Sequence, residues 1–523
     1  MHTLDDAQIF IPDVFTSHGR FKRQQEAVVC GAVRRNWGEF NDNMNRVANA
    51  LLTQGVSHGD KVAVMMVNSV EMLEVMFGVV KAGACVVPLS GLLTGPQLAA
   101  LINDSGAKAA FATPEFVGKL QPHLALIPAL LNNLLFIVHA TGEPHALWRD
   151  YASLIADAST NVPNVAYAMQ DDFNIIYSSG TTGLPKGIAQ SHRARSHFAI
   201  SNSIEMGFAD RSRVLTTTSL YSNGTWLMML PALFCGGTCV VMPSFEPRLF
   251  LQMLQTERIS HTFMVPAQFM AVLQVTDTPF DSRHLQILLC AGSPLRRDTK
   301  REVIARFGDR LIELYGFSEG FATMLKPGSP VDKFHTVGTP VLGFEVRILD
   351  DDGQVLPAGE VGEIAGFGAG MMSRYHGNRQ ATQALIWRDE RGRSFIRSGD
   401  IGKLDSDGYL VLLDRKKDLI ISGGFNVFPS DLEDIIGQHV AVMDVTVIGV
   451  PHERWGETPL ALVIPKLGVM LDAAAVIAWS NERLGKHQRI TRMEVREDFP
   501  RNALGKVLKR LLREPYWADN QSL

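Results

Sequence analysis

The sequence predicts an α/β protein with a large N-terminal domain of mostly parallel, helix-covered sheets, a β-rich subdomain at about residues 337–414 and a small α+β C-terminal domain. Short apolar runs alternate with amphipathic stretches over residues 61–138 and again over residues 214–313. This spacing is typical of parallel strands joined by helical crossovers. In the stretch 337–414 the pattern changes to short strands separated by turns, which indicates a β-rich subdomain.

Individual elements follow from the same periodicities. Apolar positions recur at helical spacing over residues 36–54, and a glycine follows them, which predicts an amphipathic helix. Residues 61–67 and 84–89 are short apolar runs that predict buried strands. The domain boundary is expected between residues 1–416 and 417–523. The basic segment 506–513 is interpreted as a solvated face of the last helix.

Composition excludes several classes of protein. The chain has 523 residues, is 46% hydrophobic and carries a net charge of −4, so nothing electrostatic favours a nucleic acid or an anionic membrane as partner. Five cysteines in apolar runs predict a reducing, cytoplasmic location. The N-terminus lacks the basic residues of a signal peptide, and NQSL is not a peroxisomal signal. A homodimer is among the expected partners.

One uncharged stretch, residues 225–242, approaches the length of a membrane span. Pro231 and the glycine pair at 236–237 interrupt it, and β-branched residues become more frequent after the glycines. The sequence therefore predicts a buried helix followed by a buried strand, and no integral membrane segment.

The most informative stretch is residues 175–192, IIYSSGTTGLPKGIAQSH. Glycines that turn backbone N–H groups toward an anion alternate there with hydroxyls and one ammonium, which predicts a phosphate-binding loop. It is not a Walker A loop, because Pro185 occupies the position of the second glycine. The candidate phosphate ligands are Ser178, Ser179, Gly180, Thr181, Thr182, Gly183 and Lys186.

The string SSGTTGLPKG resembles the signature loop of the adenylate-forming superfamily, which comprises acyl-CoA synthetases, adenylation domains of peptide synthetases and firefly-type luciferases. The chain is most similar to an AMP-forming acyl-CoA synthetase. The resemblance implies that Lys186 and the loop hold the β- and γ-phosphates of ATP while a carboxylate attacks the α-phosphate.

Two further motifs lie near the middle of the chain. The turn Gly292, Ser293 and Pro294 after an apolar run is similar to the family's adenine-binding turn. The segment ELYGFSEG is similar to the family's Y-G-x-T-E, which implies ATP-binding roles for Tyr315, Gly316 and Ser318. In that family the glutamate, here Glu319, binds Mg²⁺ together with the loop threonine, here Thr181.

Three motifs near the C-terminus complete the resemblance. In RSGD, Asp400 is implied to bind the two ribose hydroxyls, and in DRKKD, Arg415 is implied to contact the ribose or phosphates. Lys417 occupies the hinge position, about which the C-terminal domain is expected to move. PRNALGK resembles the P-R-T-x-x-G-K motif, which makes Lys506 the expected catalyst of adenylation.

The resemblance predicts an AMP-forming carboxylic acid–CoA ligase that uses ATP, Mg²⁺ and CoA. Glu319 and Lys186 are expected to act with Lys506 in catalysis. After adenylation, residues Ser422, Gly423, Gly424 and Arg489 are implied to bind CoA. A lysine acetyltransferase acting on Lys506 is a further expected partner.

The acid is predicted to be aryl or short-to-medium chain, because aromatic side chains stand at several pocket positions. Tyr221 replaces a histidine common among CoA ligases, and Leu92 replaces an arginine found in many relatives. These departures leave open a stand-alone adenylation enzyme with another acceptor. By analogy the pocket is lined by Phe198, Tyr221, Ser222, Asn223, Ala291, Leu314, Gly316 and Phe321.

A serine hydrolase is the alternative from another class. Gly316-Phe317-Ser318-Glu319-Gly320 is a literal G-x-S-x-G, between a strand-like run and a helix-compatible FATML. That alternative leaves the nucleotide motifs unexplained. A dinucleotide-binding enzyme is disfavoured because residues 366–370 lack G-x-G-x-x-G spacing, and a pure binding module has no need of Lys506.

Overall fold

The structure is a computed structural model, which describes residues 7–130, 134–139, 147–178, 185–501 and 505–517. The first helices and strands run up to residue 206. The strands are β1 (Glu26–Cys30), β2 (Val33–Asn36), β3 (Lys61–Met65), β4 (Cys85–Pro88), β5 (Ala107–Ala112), β6 (Leu135–Ile137), β7 (Arg149–Asp150), β8 (Asp172–Ser178) and β9 (Lys186–Ser191). The helices are α1 (Ile11–Phe21), α2 (Trp37–Thr53), α3 (Val70–Lys81), α4 (Gly95–Ser105), α5 (Pro114–Leu120), α6 (Tyr151–Ala156) and α7 (His192–Met206).

Residues 213–340 form a second alternating series. Its strands are β10 (Arg213–Thr216), β11 (Thr238–Val241), β12 (His261–Met264), β13 (Ile287–Cys290), β14 (Leu311–Gly316), β15 (Ala322–Leu325) and β16 (Thr339–Pro340). Its helices are α8 (Asn223–Phe234), α9 (Pro247–Thr256), α10 (Pro266–Leu273) and α11 (Arg297–Phe307).

The remaining elements are mainly strands. Those before the predicted hinge are β17 (Phe344–Leu349), β18 (Gly362–Gly368), β19 (Arg374–Tyr375), α12 (Arg379–Ala384), β20 (Ile386–Arg388), β21 (Ser394–Leu404) and β22 (Leu410–Arg415). Those after it are β23 (Ile420–Ser422), β24 (Phe425–Val427), α13 (Pro429–Ile436), β25 (Val442–His452), β26 (Gly456–Pro465), α14 (Ala473–Asn481), β27 (Arg492–Val495) and α15 (Lys509–Trp517). Short 3₁₀ turns occupy Gln121–Leu126, Pro128–Leu130, Val331–His335 and Lys486–Gln488.

Within the described ranges, two large sheets carry the N-terminal part of the chain. One has the strand order β16-β15-β14-β13-β12-β10-β11-β1-β2, and the other has the order β19-β9-β8-β4-β3-β5-β6-β7. Strands β10 to β14 pair in parallel, as do β3 to β7, and antiparallel strands close the edges. A shared hydrophobic core contains strand residues Val28 and Val62 together with Trp37, Phe77 and Trp226 of the helices. The predicted α/β architecture is confirmed.

Two smaller sheets follow. Strands β17, β18, β20, β21 and β22 form the β-rich subdomain, and strands β23 to β27 form a mixed sheet of the C-terminal part, flanked by α13 to α15. Throughout the chain, local sequence signals mark where helices begin. For example, Asn36 and Glu39 form a capping box that begins α2.

The uncharged stretch divides as predicted into helix α8 and strand β11. Across the part of the chain that the structure describes, no helix has the length and apolar character needed to cross a membrane. The interpretation of the basic segment was wrong in part. Lys509 is partly buried in the C-terminal part, where its Nζ is 2.7 Å from Oε1 of Glu433 on α13, because α15 packs against β25, which α13 also contacts.

Candidate active site

A carboxylate, a phenol and a guanidinium meet where β14, β21 and β22 approach one another. Asp400 on β21 is buried, and its Oδ2 accepts a 2.7 Å hydrogen bond from the hydroxyl of Tyr315 on β14. Arg415 lies opposite Asp400 in the β21–β22 ladder, with Nε 3.3 Å from Oδ1. Burial and the neighbouring charge of Asp400 raise the pKa of Tyr315, so its hydroxyl stays protonated and donates. The Asp400 carboxylate is therefore held in one orientation.

Lys506 reaches the same place from the C-terminal part of the chain. Burial and, after it, the positive charge of Arg415 lower the pKa of Lys506 to about 8. The carboxylates of Asp400 and Asp418 oppose that shift. Three residues predicted from separate motifs, Asp400, Arg415 and Lys506, thus act on one another electrostatically. At neutral pH the Lys506 ammonium remains the dominant form.

An ion-pair bridge connects the C-terminal part to the segment that precedes α11. Asp444 on β25 accepts from Nη2 of Arg296, which precedes α11, at 3.3 Å through Oδ1. Its other oxygen, Oδ2, accepts from Nη2 of Arg501 at 2.5 Å. Since Arg501 begins the segment that leads to Lys506, this bridge joins the lysine-bearing segment to the N-terminal domain.

Tyr375 is a site residue that the sequence analysis missed. Its hydroxyl donates a 2.8 Å hydrogen bond to Oε1 of Glu319, and the ammonium of Lys186 lies 4.8 Å from its ring centroid. Burial and the charge of Glu319 raise the pKa of Tyr375. Tyr375 carries no charge and belongs to no motif recognised above. Tyr375 comes to contact both Glu319 and Lys186 because β19 pairs with β9, which sets Tyr375 opposite Ile188.

The phosphate loop is described only at its ends. Strands β8 and β9 pair antiparallel with Ser178 opposite Lys186, so the described residues form the base of a hairpin. Glu319 carries the hard carboxylate oxygens that Mg²⁺ prefers, and it bonds to the same tyrosine whose ring lies against the Lys186 ammonium, so its chemistry would fit the ion. The predicted ligands that lie outside the described residues are Ser179, Gly180, Thr181, Thr182 and Gly183.

The predicted adenine turn follows β13 directly. Gly292 adopts φ = +97°, a left-handed value that favours glycine, and Ser293 and Pro294 complete the turn. The next residue, Leu295, donates its N–H to Oε1 of Glu313 at 3.0 Å. Glu313 is buried on β14 and forms an ion pair with Lys300 of α11. A buried charge pair therefore fastens the turn to the strand that carries Tyr315.

Ser318 does not occupy a nucleophile elbow. The elbow needs a helix after the serine, whereas Ala322–Leu325 forms β15, which returns antiparallel to β14. The structure instead uses the main chain of Ser318, whose carbonyl accepts from Nε2 of the buried Gln190 at 3.1 Å. Gly316 is the last residue of β14, and a Cβ there would lie 2.8 Å from the carbonyl oxygen of Phe321.

Most of the predicted acid-pocket residues gather around α7, α8 and the ends of two strands. Phe198 lies on α7, Tyr221 and Ser222 precede α8, and Asn223 begins it. Ala291 and Leu314 belong to the ends of β13 and β14 and are buried. Phe198, Tyr221 and Asn223 are partly exposed, as a pocket wall requires.

Phe321 is the exception among these residues. It is 1% exposed and belongs to the hydrophobic core of the β-rich subdomain, with Tyr315 and Val346. Its ring packs so closely on Gly366 that a Cβ at that glycine would overlap it. Phe321 therefore packs in this core against β18, and its place in the acid pocket stays a prediction.

The predicted CoA-binding residues lie in the C-terminal part. Ser422 ends β23, and Gly423 and Gly424, with φ of +58° and +84°, form the turn into β24. The N–H of Gly423 donates to the carbonyl of Trp455 at 2.9 Å. Arg489 follows the 3₁₀ turn Lys486–Gln488, which contacts β24. In this structure Lys506 interacts electrostatically with Asp400.

The predicted hinge lies between the β-rich subdomain and the C-terminal part. Lys417 is in the turn that joins β22 to β23, and its carbonyl accepts from Nη1 of Arg513 at 3.1 Å. Its backbone is thus held by α15 in the present arrangement.

Comparison with known proteins gives two family matches. The model of the AMP-binding enzyme family matches residues 15–376, and that of the AMP-binding enzyme C-terminal domain matches residues 431–506. Together they cover the segments that hold Lys186, Glu319 and Lys506.

Curated proteins of similar sequence include two ligases of aromatic acids. A feruloyl-CoA synthase from Amycolatopsis sp is 31% identical over 501 residues, which are 95% of this chain and 97% of that protein. An indoleacetate–CoA ligase from Aromatoleum aromaticum is 33% identical over 90% of this chain and 91% of that protein. The family also includes a long-chain-fatty-acid–CoA ligase from Mycobacterium tuberculosis at 29% identity, over 93% of this chain and 94% of that protein.

Solved structures match along nearly the whole chain. ATP-bound MatB from Rhodopseudomonas palustris has a TM-score of 0.85 and 27% identity, over 97% of this chain and 99% of that one. An anthranilate CoA ligase in complex with anthranoyl-AMP has a TM-score of 0.89 and 23% identity, over 99% of this chain and all of that one, and it shows likeness of fold alone.

Proposed function

We propose, from the premise that this chain belongs to the AMP-binding enzyme family and is an AMP-forming acid–CoA ligase, that its acid is an aromatic carboxylic acid. The observation that carries the ligase mechanism is the electrostatic contact of Lys506 with Asp400 and Arg415. The aromatic acid is supported by the partly exposed rings of Phe198 and Tyr221 and by relatives that ligate feruloyl and indoleacetyl groups.

In the first half-reaction, an oxygen of the acid carboxylate attacks the α-phosphorus of ATP. A new C–O–P bond forms, the bond to the β-phosphate breaks, and pyrophosphate leaves with the electron pair. Two anions must meet for this to happen, so an ammonium directed at the developing charge lowers the barrier. Lys506 is proposed as that ammonium, with Asp400 holding the ribose and Lys186 the outer phosphates.

Glu319, oriented by the hydroxyl of Tyr375, is proposed to hold Mg²⁺ with Thr181. When bound, the ion neutralises charge on the triphosphate. The chain itself contributes the carboxylate of Glu319, which Tyr375 holds in place, and the ammonium of Lys186, which lies against the Tyr375 ring.

In the second half-reaction, the CoA thiol loses its proton to solvent and its sulfur attacks the acyl carbon of the adenylate. A C–S bond forms, the C–O bond to the phosphate breaks, and AMP leaves with the electron pair. We propose that the C-terminal domain rotates about Lys417 between the two steps, which withdraws Lys506 and brings the turn of Ser422 to Gly424 toward the acyl group. Arg489, beside that turn, is proposed to bind the CoA phosphates.

We further propose a cytoplasmic location, since all five cysteines are free thiols and suit a reducing compartment. A lysine acetyltransferase is proposed to act on Lys506, because acetylation removes the charge that adenylation uses. The predicted homodimer is tested by size-exclusion chromatography with light scattering.

The deciding experiment is a panel of aromatic acids and short- and medium-chain aliphatic acids, assayed for pyrophosphate release with and without CoA. We expect AMP and an aromatic thioester as products, with turnover dependent on CoA. ADP as the product, or ester hydrolysis without ATP that is lost in Ser318→Ala, would contradict the mechanism. A flat profile across the panel, or a preference for aliphatic acids, would contradict the choice of acid.

Tyr221→Ala tests the pocket wall. Removing this partly exposed ring enlarges the pocket, so the preference is expected to move toward bulkier acids. Tyr409→Ala makes the same change in the β-rich subdomain, where the ring lies 5.0 Å from the Lys333 ammonium, and it is the matched control. An unchanged profile in Tyr221→Ala would show that the pocket lies elsewhere.

A further inference from the structure

Arg195 on α7 is a buried cation that bonds to neutral side chains. Its side chain is fully buried, and burial is the one influence on its pKa, which falls to about 9. Within the described ranges, no Asp or Glu forms an ion pair with it. Buried arginines are normally paired, because an uncompensated charge in the interior is costly. Arg195 still carries its charge at neutral pH, so its surroundings must stabilise a cation.

The surroundings consist of neutral oxygens and aromatic faces. Nε donates to Oδ1 of Asn174 at 2.7 Å, and Nη2 donates to Oδ1 of Asn223 at 2.9 Å. The guanidinium carbon lies 4.5 Å from the ring centroid of Trp226 and 5.2 Å from that of Phe198. Cation–π contacts and two amide oxygens therefore replace the missing carboxylate.

These bonds determine how both asparagine amides are turned. A guanidinium has donors and no acceptor, so each asparagine must present its oxygen to Arg195 and direct its NH₂ group away. Asn174 shows how strong this preference is. Its buried Nδ2 has no hydrogen-bond partner among the described residues, yet its oxygen still faces the cation.

Asn223 differs from Asn174 in exposure. Asn174 is fully buried on β8, whereas Asn223 is partly exposed at the start of α8, two residues after Tyr221, and its partner Arg195 also lies against the ring of Phe198. The NH₂ group that Arg195 turns outward at Asn223 is therefore accessible to a molecule bound there. Asn223, Phe198 and Tyr221 were predicted as pocket residues, so that molecule is the acid.

We propose that Arg195 is a positioning residue that fixes Asn223 as a hydrogen-bond donor to an oxygen substituent on the acid, so that the preferred substrates are aromatic acids with a ring hydroxyl or ether oxygen. This inference rests on the proposed function, since it names a class within the aromatic acids. Asn223 is the group that contacts the substrate, and Arg195 acts through it.

The experiment compares acids that match in size and differ in one acceptor. Cinnamic acids with hydroxyl, methyl, methoxy or ethyl at ring position 3 or 4 give two isosteric pairs, hydroxyl with methyl and methoxy with ethyl. The readout is the ratio of kcat/KM for pyrophosphate release within each pair. One hydrogen bond to a neutral donor predicts a preference of about tenfold for the oxygenated member.

Three variants separate the roles. Asn223→Leu removes the donor at similar volume and is expected to bring both ratios near one. Asn223→Asp leaves only acceptors, so the hydroxyl acid, which can donate, keeps its preference and the methoxy acid loses it. Arg195→Leu frees the amide to rotate and is expected to lower both ratios with Asn223 still present.

Lys81→Met is the matched control. Lys81 is a second buried basic side chain, and it likewise bonds to neutral oxygens, Oδ1 of Asn41 at 2.6 Å and Oγ1 of Thr16 at 2.9 Å. A general effect of removing a buried basic side chain would appear in this variant too, whereas the acid ratios are expected to stay at wild-type values. If Arg195→Leu does not fold, the two Asn223 variants still decide the question.

Equal rates within each pair for the wild type, or ratios unchanged in Asn223→Leu, would overturn the inference. A methoxy preference that survives in Asn223→Asp would do the same. Failure of the proposed function is a different result, because then no cinnamic acid releases pyrophosphate and aliphatic acids do. The same variants are then assayed with aliphatic acids that differ by a hydroxyl or a methyl group.

Discussion

The nucleotide side and the acid side of the site hold their cations in opposite ways. On the nucleotide side, Arg415 lies 3.3 Å from the carboxylate of Asp400, and Lys506 interacts with both. On the acid side, Arg195 donates to two neutral amide oxygens and faces two aromatic rings.

The difference follows from what each side has to do. Negative charge shifts along the triphosphate during adenylation. Cations that neighbouring carboxylates already hold in place can stabilise this charge with little reorganisation. The acid beyond its carboxylate gains no charge, so a cation there serves to orient neutral groups. Mutations on the nucleotide side should therefore change rates strongly, and mutations on the acid side should change selectivity.

The largest expected effect is that of Lys506→Ala. Loss of one preorganised donor to a developing charge costs about 10²–10³ in rate, so adenylation should fall at least that far. Conversion of supplied acyl-adenylate and CoA to thioester should be retained. Lys417→Pro, which restricts φ at the proposed hinge, should show the reverse pattern. Single-turnover kinetics of each half-reaction make the measurement, and equal damage to both steps by both variants would refute domain alternation.

A smaller loss is expected for Asp400→Asn. The change keeps the shape and removes the charge that Tyr315 and Arg415 face, so KM for ATP should rise by about 10- to 100-fold, as for a hydrogen bond to a charged group. Tyr315→Phe removes one donor and keeps the carboxylate, and its effect should be weaker. If both variants raise KM equally, the carboxylate is not itself a ligand of the ribose.

The pH dependence of adenylation should report Lys506. Because its pKa in the folded protein is lowered to about 8 from 10.5, the ammonium is lost as pH rises through 8. We expect kcat/KM for ATP to fall about tenfold per pH unit above 8. The fall in kcat should occur at higher pH, because the negative charge of the bound triphosphate stabilises the Lys506 ammonium. Lys506→Arg stays charged and should lack this limb. The same shift means that unfolded protein binds more protons between pH 8 and 10.5, so this group's contribution to stability rises with pH there.

The smallest effect concerns the bridge between the two parts of the chain. Arg296→Ala breaks a partly exposed ion pair with Asp444, which is worth about 1 kcal/mol or less, so adenylation should slow by no more than about fivefold. Thioester formation should be unchanged or faster, because the bridge stabilises only the present arrangement, in which Lys506 interacts with Asp400. Arg301→Ala is the control, since Arg301 pairs with Asp298 of its own helix. Equal slowing of both half-reactions would show that the bridge stabilises the fold and not one arrangement.

Much of the nucleotide side was predictable because its signals are local. The resemblance of short motifs to those of the family identified Gly292, Asp400 and Lys506 without knowledge of their neighbours, and Gly292 has the positive φ that such a turn favours. The hydrophobic periodicities likewise located α2, α8 and the parallel strands. Their roles in catalysis stay predictions until the variants above are measured.

The alternation of strands and helices, and the residue types that a nucleotide requires, could be predicted from local patterns, because hydrophobic period and motif spacing act over a few residues. The contacts between distant residues depend on how the chain folds. Tyr375 contacts Glu319 because of the register of β19 on β9, and Phe321 packs in a core against β18. Arg195 on α7 orients the amide of Asn223 on α8. Strand register and helix packing join segments far apart in the chain, and no local pattern encodes them.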